Sequence, residues 1–126
     1  MYPRPKDFNI IGLVGLTISK IDQTGDTFDI YTTDGRHFRS YHDQDCCESV
    51  GIDTVEGNLD DLIGSPITVA EEDIDQETSP ARDGHYVESF TWTIFTFATA
   101  KGRVVIKWLG ESNGYYSESV STVELT

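Results

Sequence analysis

SFTWTIFTFATAKGRVVIKWLG, Ser89 to Gly110, is the run whose reading decides the fold. β-branched and aromatic residues fill both sides of Lys101-Gly102, which predicts an antiparallel hairpin turning at that pair. Setting Ala100 against Arg103 places Phe97 opposite Ile106 and Phe95 opposite Trp108 on one face, with Ile94 opposite Leu109 on the other. Large apolar groups then stand on both sides of the sheet. Such a sheet must be covered twice, by a helix, a second sheet or its own curvature.

Upstream, DTFDIYTTDGRHFRSYH holds Asp34-Gly35 between alternating runs, a second hairpin signal. A two-residue turn there puts Phe28, Ile30 and Tyr41 on one face and Tyr31, Phe38 and His42 on the other. Apolar IIGLVGLTISKI, Ile10 to Ile21, reads as a first strand. Between the hairpins, Asp43 or Asp45 is placed to cap a short helix over CCESV, and Asn58 one over LDDLI. ITVAEE after Pro66 reads as a strand, DIDQETSPARDG as a mobile acidic loop over residues 73–84, and residues 1–9 as a flexible N-terminus. Asn113-Gly114 marks a third hairpin turn, followed by a strand with Tyr116, Val120 and Val123. The expectation is one domain over residues 1–126, mainly β (α+β): a twisted antiparallel sheet or small barrel of about seven strands, with one or two short helices in the middle.

The 126 residues carry 9 Lys and Arg against 22 Asp and Glu, a net charge of -13. That field repels phosphate backbones and anionic lipid, so direct nucleic-acid or membrane binding is not expected, whereas a basic protein surface is attracted. Eleven of the acids fall between Asp53 and Glu88, where Arg82 is the only Lys or Arg. Asp53, Glu56, Asp60, Asp61, Glu71, Glu72, Asp73, Asp75 and Glu77 are the candidate partner-binding residues. No apolar run approaches a membrane span, and no leader pattern opens the chain, so the expected location is the cytoplasm. GxGxxG and GxxxxGK[ST] phosphate loops are absent.

YHDQDCCE, Tyr41 to Glu48, concentrates an imidazole, carboxylates and both cysteines of the chain. Neighbouring Cα atoms lie about 3.8 Å apart, short of the usual disulfide range of roughly 4.4 to 6.8 Å, so reduced thiols are expected. His42, Asp45, Cys46, Cys47 and Glu48 are then candidate ligands for zinc or another divalent metal, with His85, Glu88 or Glu111 able to complete the set. The competing reading makes the cysteines small buried hydrophobes, His42 a hydrogen-bonded core residue and Glu48 the capping partner of Asp45. The acids around the thiols disfavour a nucleophilic cysteine. Glu111, Asn113, Tyr115 and Tyr116, in GESNGYYSE, form a candidate ligand loop.

YHDQDCCESV, DLIGSPI with the AEE that follows, SFTWTIF and WLGESNGYYSE together resemble a group of small phage and prophage proteins of uncharacterised function, over roughly Leu13 to Val120. The resemblance implies a phage origin and a single site built from His42 to Glu48 and Gly110 to Glu118. In size, charge and ligand inventory the chain is also similar to metal-containing inhibitors of RNA-guided nucleases. The leading expectation is a non-enzymatic acidic metalloprotein that blocks a host nucleic-acid-handling defence enzyme. Two others stand beside it. One is a binder of a nucleotide signal, using Tyr115, Tyr116 and Trp108 for stacking and Arg36, Arg39 and Arg103 for charge; the other is a metal-dependent hydrolase.

Overall fold

A computed structural model describes residues 6–80 and 88–125. The elements run β1 (Lys6–Asp7), the 3-10 turn η1 (Ile10–Leu13), β2 (Ile18–Thr24), β3 (Thr27–Thr32), β4 (His37–Tyr41), β5 (Ser49–Glu56), the 3-10 turn η2 (Leu59–Leu62), β6 (Val69–Asp75), β7 (Ser89–Thr99), β8 (Gly102–Ser112) and β9 (Ser121–Leu125). They form two open antiparallel sheets, β1-β9-β4-β3-β2 and β5-β8-β7-β6. The mainly β expectation holds, in its sheet form and not as a closed barrel.

The β7–β8 hairpin turns at Ala100-Lys101, with Thr99 opposite Gly102, Phe97 opposite Val104 and Phe95 opposite Ile106. This is two residues from the expected register. Because side chains alternate with period two, a shift of two leaves every residue on its expected face. Thr99 explains the turn: its Oγ1 accepts the Lys101 N–H at 3.1 Å and donates to the Asp61 carbonyl at 2.5 Å, tying the hairpin tip to η2.

The β3–β4 hairpin differs by one residue, and there the faces change. Phe28 lies opposite Ser40, Ile30 opposite Phe38 and Tyr31 opposite His37. The loop has three residues, Thr33 to Gly35, closed by Thr32 N–H to the Arg36 carbonyl at 2.9 Å. Gly35 takes φ +87°, the left-handed position that a three-residue loop needs and that glycine fills without steric cost. Phe38 therefore joins Phe28 and Ile30 in the core, correcting its expected placement beside Tyr31. The opposite face carries Asp29, Tyr31, His37 and Arg39.

The core lies between the sheets: Phe28, Ile30 and Phe38 meet Phe95, Phe97, Val104, Ile106 and Trp108, all nearly inaccessible. Phe28 stacks over Phe97 across the interface at 6.4 Å, and Phe95 meets the Trp108 ring edgewise at 6.0 Å. A second sheet thus provides one of the two covers that the β7–β8 run demands.

Other expectations are revised locally. Ile10 to Ile21 is not one strand: Asn9 Oδ1 accepts the Ile11 N–H and starts η1, and the strand begins at Ile18. Asn58 caps η2 as expected, but no helix forms over CCESV, where the chain bends and enters β5. Asp73 to Asp75 belong to β6 and not to a loop; residues 81–84 of that expected loop lie outside the described residues. Lys6 and Asp7 pair with β9, and Phe8 packs on Phe38 at 4.5 Å, so this part of the N-terminus is anchored. Asn113-Gly114 makes no hairpin, because β9 leaves for the other sheet and pairs with β4 and β1.

The register assigns Phe38 to the core and leaves Tyr41 half-buried at a strand end. Phe38→Ala is expected to cost about 3 to 5 kcal/mol and Tyr41→Ala about 1 kcal/mol or less, measured by urea unfolding. Equal losses would contradict the one-residue shift.

Candidate functional site

The chain crosses between the sheets twice near one end of the sandwich. Tyr41 to Ser49 carries it from β4 to β5, and Asn113 to Val120 carries it back from β8 to β9. YHDQDCCE is the first crossing and the YYSE end of GESNGYYSE lies in the second. The two expected site segments are indeed neighbours, and a single imidazole joins them.

His42 Nδ1 lies 2.6 Å from the Ser119 carbonyl oxygen, and Nε2 lies 2.8 Å from Glu48 Oε2. A carbonyl only accepts, so Nδ1 carries a hydrogen. Glu48 also takes the N–H groups of Asp45 and Cys46, each at 2.9 Å, and the side-chain amide of Gln44 at 3.2 Å. The His42 bond, followed by the backbone N–H bonds, outweighs burial and draws the Glu48 carboxyl from 4.5 down to about 2. Glu48 thus gathers the His42 ring and two backbone N–H groups on one carboxyl, and both ring nitrogens of His42 are engaged. Side-chain exposures of 4% for His42 and 0% for Glu48 make this a buried polar pair with all its polar atoms engaged.

This arrangement answers the ligand question. Cys46 and Cys47 are joined to each other in a disulfide, contrary to the expected pair of thiols, and both are solvent-exposed and not buried. Their sulfurs converge on one another and not on a cation. Glu48 turns inward to the backbone, and both nitrogens of His42 are committed. Asp45 is exposed at the lip of the loop. Among the described residues no group of three or more His, Cys, Asp or Glu side chains is placed to hold a metal ion. His85 lies outside the described residues. The donor set as folded does not fit zinc; it fits the capping reading, with Glu48 bonding the Asp45 N–H in a bend and not in a helix. The loop presents no free thiol and no free ring nitrogen, while the exposed carboxylates of Asp43 and Asp45 face the cleft.

The second crossing has its own buried carboxylate, which sequence reasoning missed. Glu118 is 8% exposed and accepts from Thr91 Oγ1 at 2.8 Å and from Ser112 Oγ. A Cβ at Gly110 would stand 2.6 Å from the Glu118 carbonyl oxygen, so glycine there lets the returning chain pass directly over β8. Only the glycine hinted at this close approach. A polar cleft of about 480 Å³ lies between the crossings, lined by His42, Asp43, Asp45, Ser117 and Ser119 among others.

The candidate ligand loop and its supporting cast are dispersed. Tyr115 is 82% exposed and its ring meets Tyr116 edgewise, while Asn113 Oδ1 is turned to the Tyr115 N–H. Trp108 is fully buried and offers no stacking surface. Arg36 is bound bidentately by Glu124 and Arg39 by Asp29, and Arg103 stands on the other sheet. Burial opposes ionisation of Asp29, but the bonds from Arg39 and His37 prevail and hold its pKa below the usual value.

The acidic residues do not form one face. Asp53 and Glu56 lie on β5 and Glu71 to Asp75 on β6, at opposite edges of the four-stranded sheet, three strand spacings or about 14 Å apart. Asp60 and Asp61 lie in η2. Glu56 approaches Lys107 at 3.7 Å, and Asp75 accepts the N–H groups of Glu77 and Thr78, which lowers its pKa and fixes the turn after β6. Glu71, Glu72 and Asp73 make no ion pair with any described residue.

Residues 12–122 match a family model described as a domain of unknown function, DUF7448. The chain belongs to this family. The match spans both crossings and both sheets, and covers the stretch over which the motif resemblance was drawn. No curated protein and no solved structure matches the chain. No helix among the described residues of this DUF7448 member is long and apolar enough to cross a membrane.

Because the Glu48 carboxyl is held near 2 in the fold, its contribution to stability is complete above its ordinary value of 4.5 and is lost as pH falls from 4.5 towards 2. Glu48→Gln is expected to be clearly less stable than the parent at pH 7, with the difference narrowing at pH 3. Urea unfolding at the two pH values checks this; a gap that stays constant would show that the carboxylate's charge is not what the loop uses.

Proposed function

We propose that this DUF7448 protein is a non-catalytic acidic binding protein, of phage origin, that docks on the basic surface of a nucleic-acid-handling defence enzyme and excludes its nucleic acid. The observation that carries the reading is the charge of β6. Glu71, Glu72 and Asp73 occupy successive positions of an edge strand and have no cation among the described residues, whereas Arg36, Arg39 and Lys107 are engaged by carboxylates elsewhere. These three cations are taken up by other carboxylates, and the β6 anions are left without a countercharge among the described residues. Such a surface accelerates encounter with a basic partner and loses attraction as salt rises.

In the crossing loops the thiols are joined to each other, and among the described residues no metal-ligand group is assembled, which supports binding over turnover. The exposed acids are also separable from the fold. Asp75 is excepted, because its carboxylate holds the turn that follows.

The test uses a panel of purified bacterial restriction and RNA-guided nucleases and reads DNA cleavage with and without the protein. The parent is expected to inhibit at least one of them, less so at 500 mM salt. Glu71, Glu72 and Asp73 replaced together by lysine should abolish inhibition with little change in Tm. Inhibition that survives the replacement, or none by the parent in any reaction, overturns the reading.

A further inference from the structure

A groove of about 800 Å³ opens along β6, between that edge strand and the beginning of β9. Phe8, Ile11 and Ala70 supply apolar lining, and Asp7, Glu72 and Asp73 supply charge. Two observations besides the charge mark it as a docking surface. The outer edge of β6 pairs with no strand among the described residues; η1 packs against part of it, and by strand alternation the main-chain groups of Glu71 and Asp73 point away from β7. Ile11 is 63% exposed beside it, and Ile74, on the core-facing side of the same strand, is 55% exposed.

The register sharpens the chemistry. Glu72 lies opposite Phe95, on the face of β6 that looks into the sandwich, while Glu71 and Asp73 look out. Burial raises the Glu72 carboxyl pKa, as befits an anion set against apolar neighbours without a cation. A strand laid along β6 thus meets carboxylates on both of its faces and aromatic and aliphatic carbon on one. Lysine and arginine suit both demands, since their stems cover apolar surface while their heads reach the acids. A second copy of β6 is the wrong occupant, because like charges would face each other across the new pairing.

We propose that this groove receives an extended, lysine- or arginine-bearing segment of a partner protein, added to the sheet beside β6 through main-chain hydrogen bonds. The inference rests on the acidic docking reading and specifies how the partner is held. Ala70 to Asp73 offers a contact about 13 Å long at roughly 3.3 Å per residue, which suits a short strand and not a folded face.

The probe is a ten-residue peptide of alternating lysine and valine, titrated into the ¹⁵N-labelled protein. Amide shifts are expected at Ala70 to Asp73 and at Val120 to Thr122. Binding should weaken at least tenfold on Glu72→Lys with Asp73→Lys. It should also weaken at least tenfold when alternate peptide amides are N-methylated, which removes strand donors and keeps the charge. Shifts spread equally over Asp53, Glu56 and Asp60, or affinity indifferent to N-methylation, would overturn the inference and leave only diffuse attraction. No binding by the peptide, with nuclease inhibition intact, would sink the groove and spare the docking reading. Groove binding without inhibition of any nuclease would do the reverse.

Discussion

The His42 imidazole between the Glu48 carboxylate and the Ser119 carbonyl is the constraint on which this end of the sandwich depends. Two sheets packed through Phe28, Phe97 and Trp108 are held by apolar burial, which has no direction and tolerates sliding. The polar clasp has direction. It joins the strand that leaves the first sheet to the segment that returns to it, and Glu48 gathers the Asp45 and Cys46 N–H groups that a bend would otherwise leave unpaired. A buried hydrogen-bonded pair stabilises little in itself once desolvation is counted, but losing one member leaves the other buried without its partner. Its consequence is that the connection between sheets has one arrangement.

What the sequence disclosed, and what it hid, follows from the period of the strands. For the β7–β8 run the turn lies one residue earlier than expected and the pairing register differs by two, so every face assignment survived and the core aromatics were read correctly. For the β3–β4 run the error was one residue, and Phe38 changed sides. The difference lies in Thr32, whose hydroxyl accepts the Arg36 N–H at 3.1 Å and helps close a three-residue loop. Asp34-Gly35 signals a turn in either case; the side chain that sets its length is outside the dipeptide.

The YHDQDCCE segment was legible as a cluster but not as a geometry. Imidazole, carboxylate and sulfur are metal ligands when they converge on a point and capping groups when they turn to backbone, and spacing along a bend does not distinguish the two. Glu118 was less legible still, because its partners Thr91 and Ser112 belong to strands distant in sequence. The acidic stretch is dispersed in another way: the candidate partner-binding acids from Asp53 to Glu77 are close in sequence, yet β5 and β6 take opposite edges of their sheet with β8 and β7 between them. Chain order carries no information about which strand ends at which edge.

That separation bears on how a charged edge and a clasp cooperate. Ser121 lines both the polar cleft beside His42 and the groove beside β6, and Ser119 lies two residues before it. The bond from His42 to Ser119 therefore fixes where β9 begins, and β9 in turn sets one wall of the groove whose other wall is β6. Anions crowded on an edge strand repel one another and favour fraying of that edge. The opposite wall is held by pairing with β4 and by the clasp, so it stays in place while β6 presents its charge. A cation arriving between the walls relieves the repulsion on one and packs its stem against carbon held by the other. On this account the buried pair at the crossing and the exposed acids at the edge share one physical logic, in which a charge is kept where a rigid backbone gives it a single orientation.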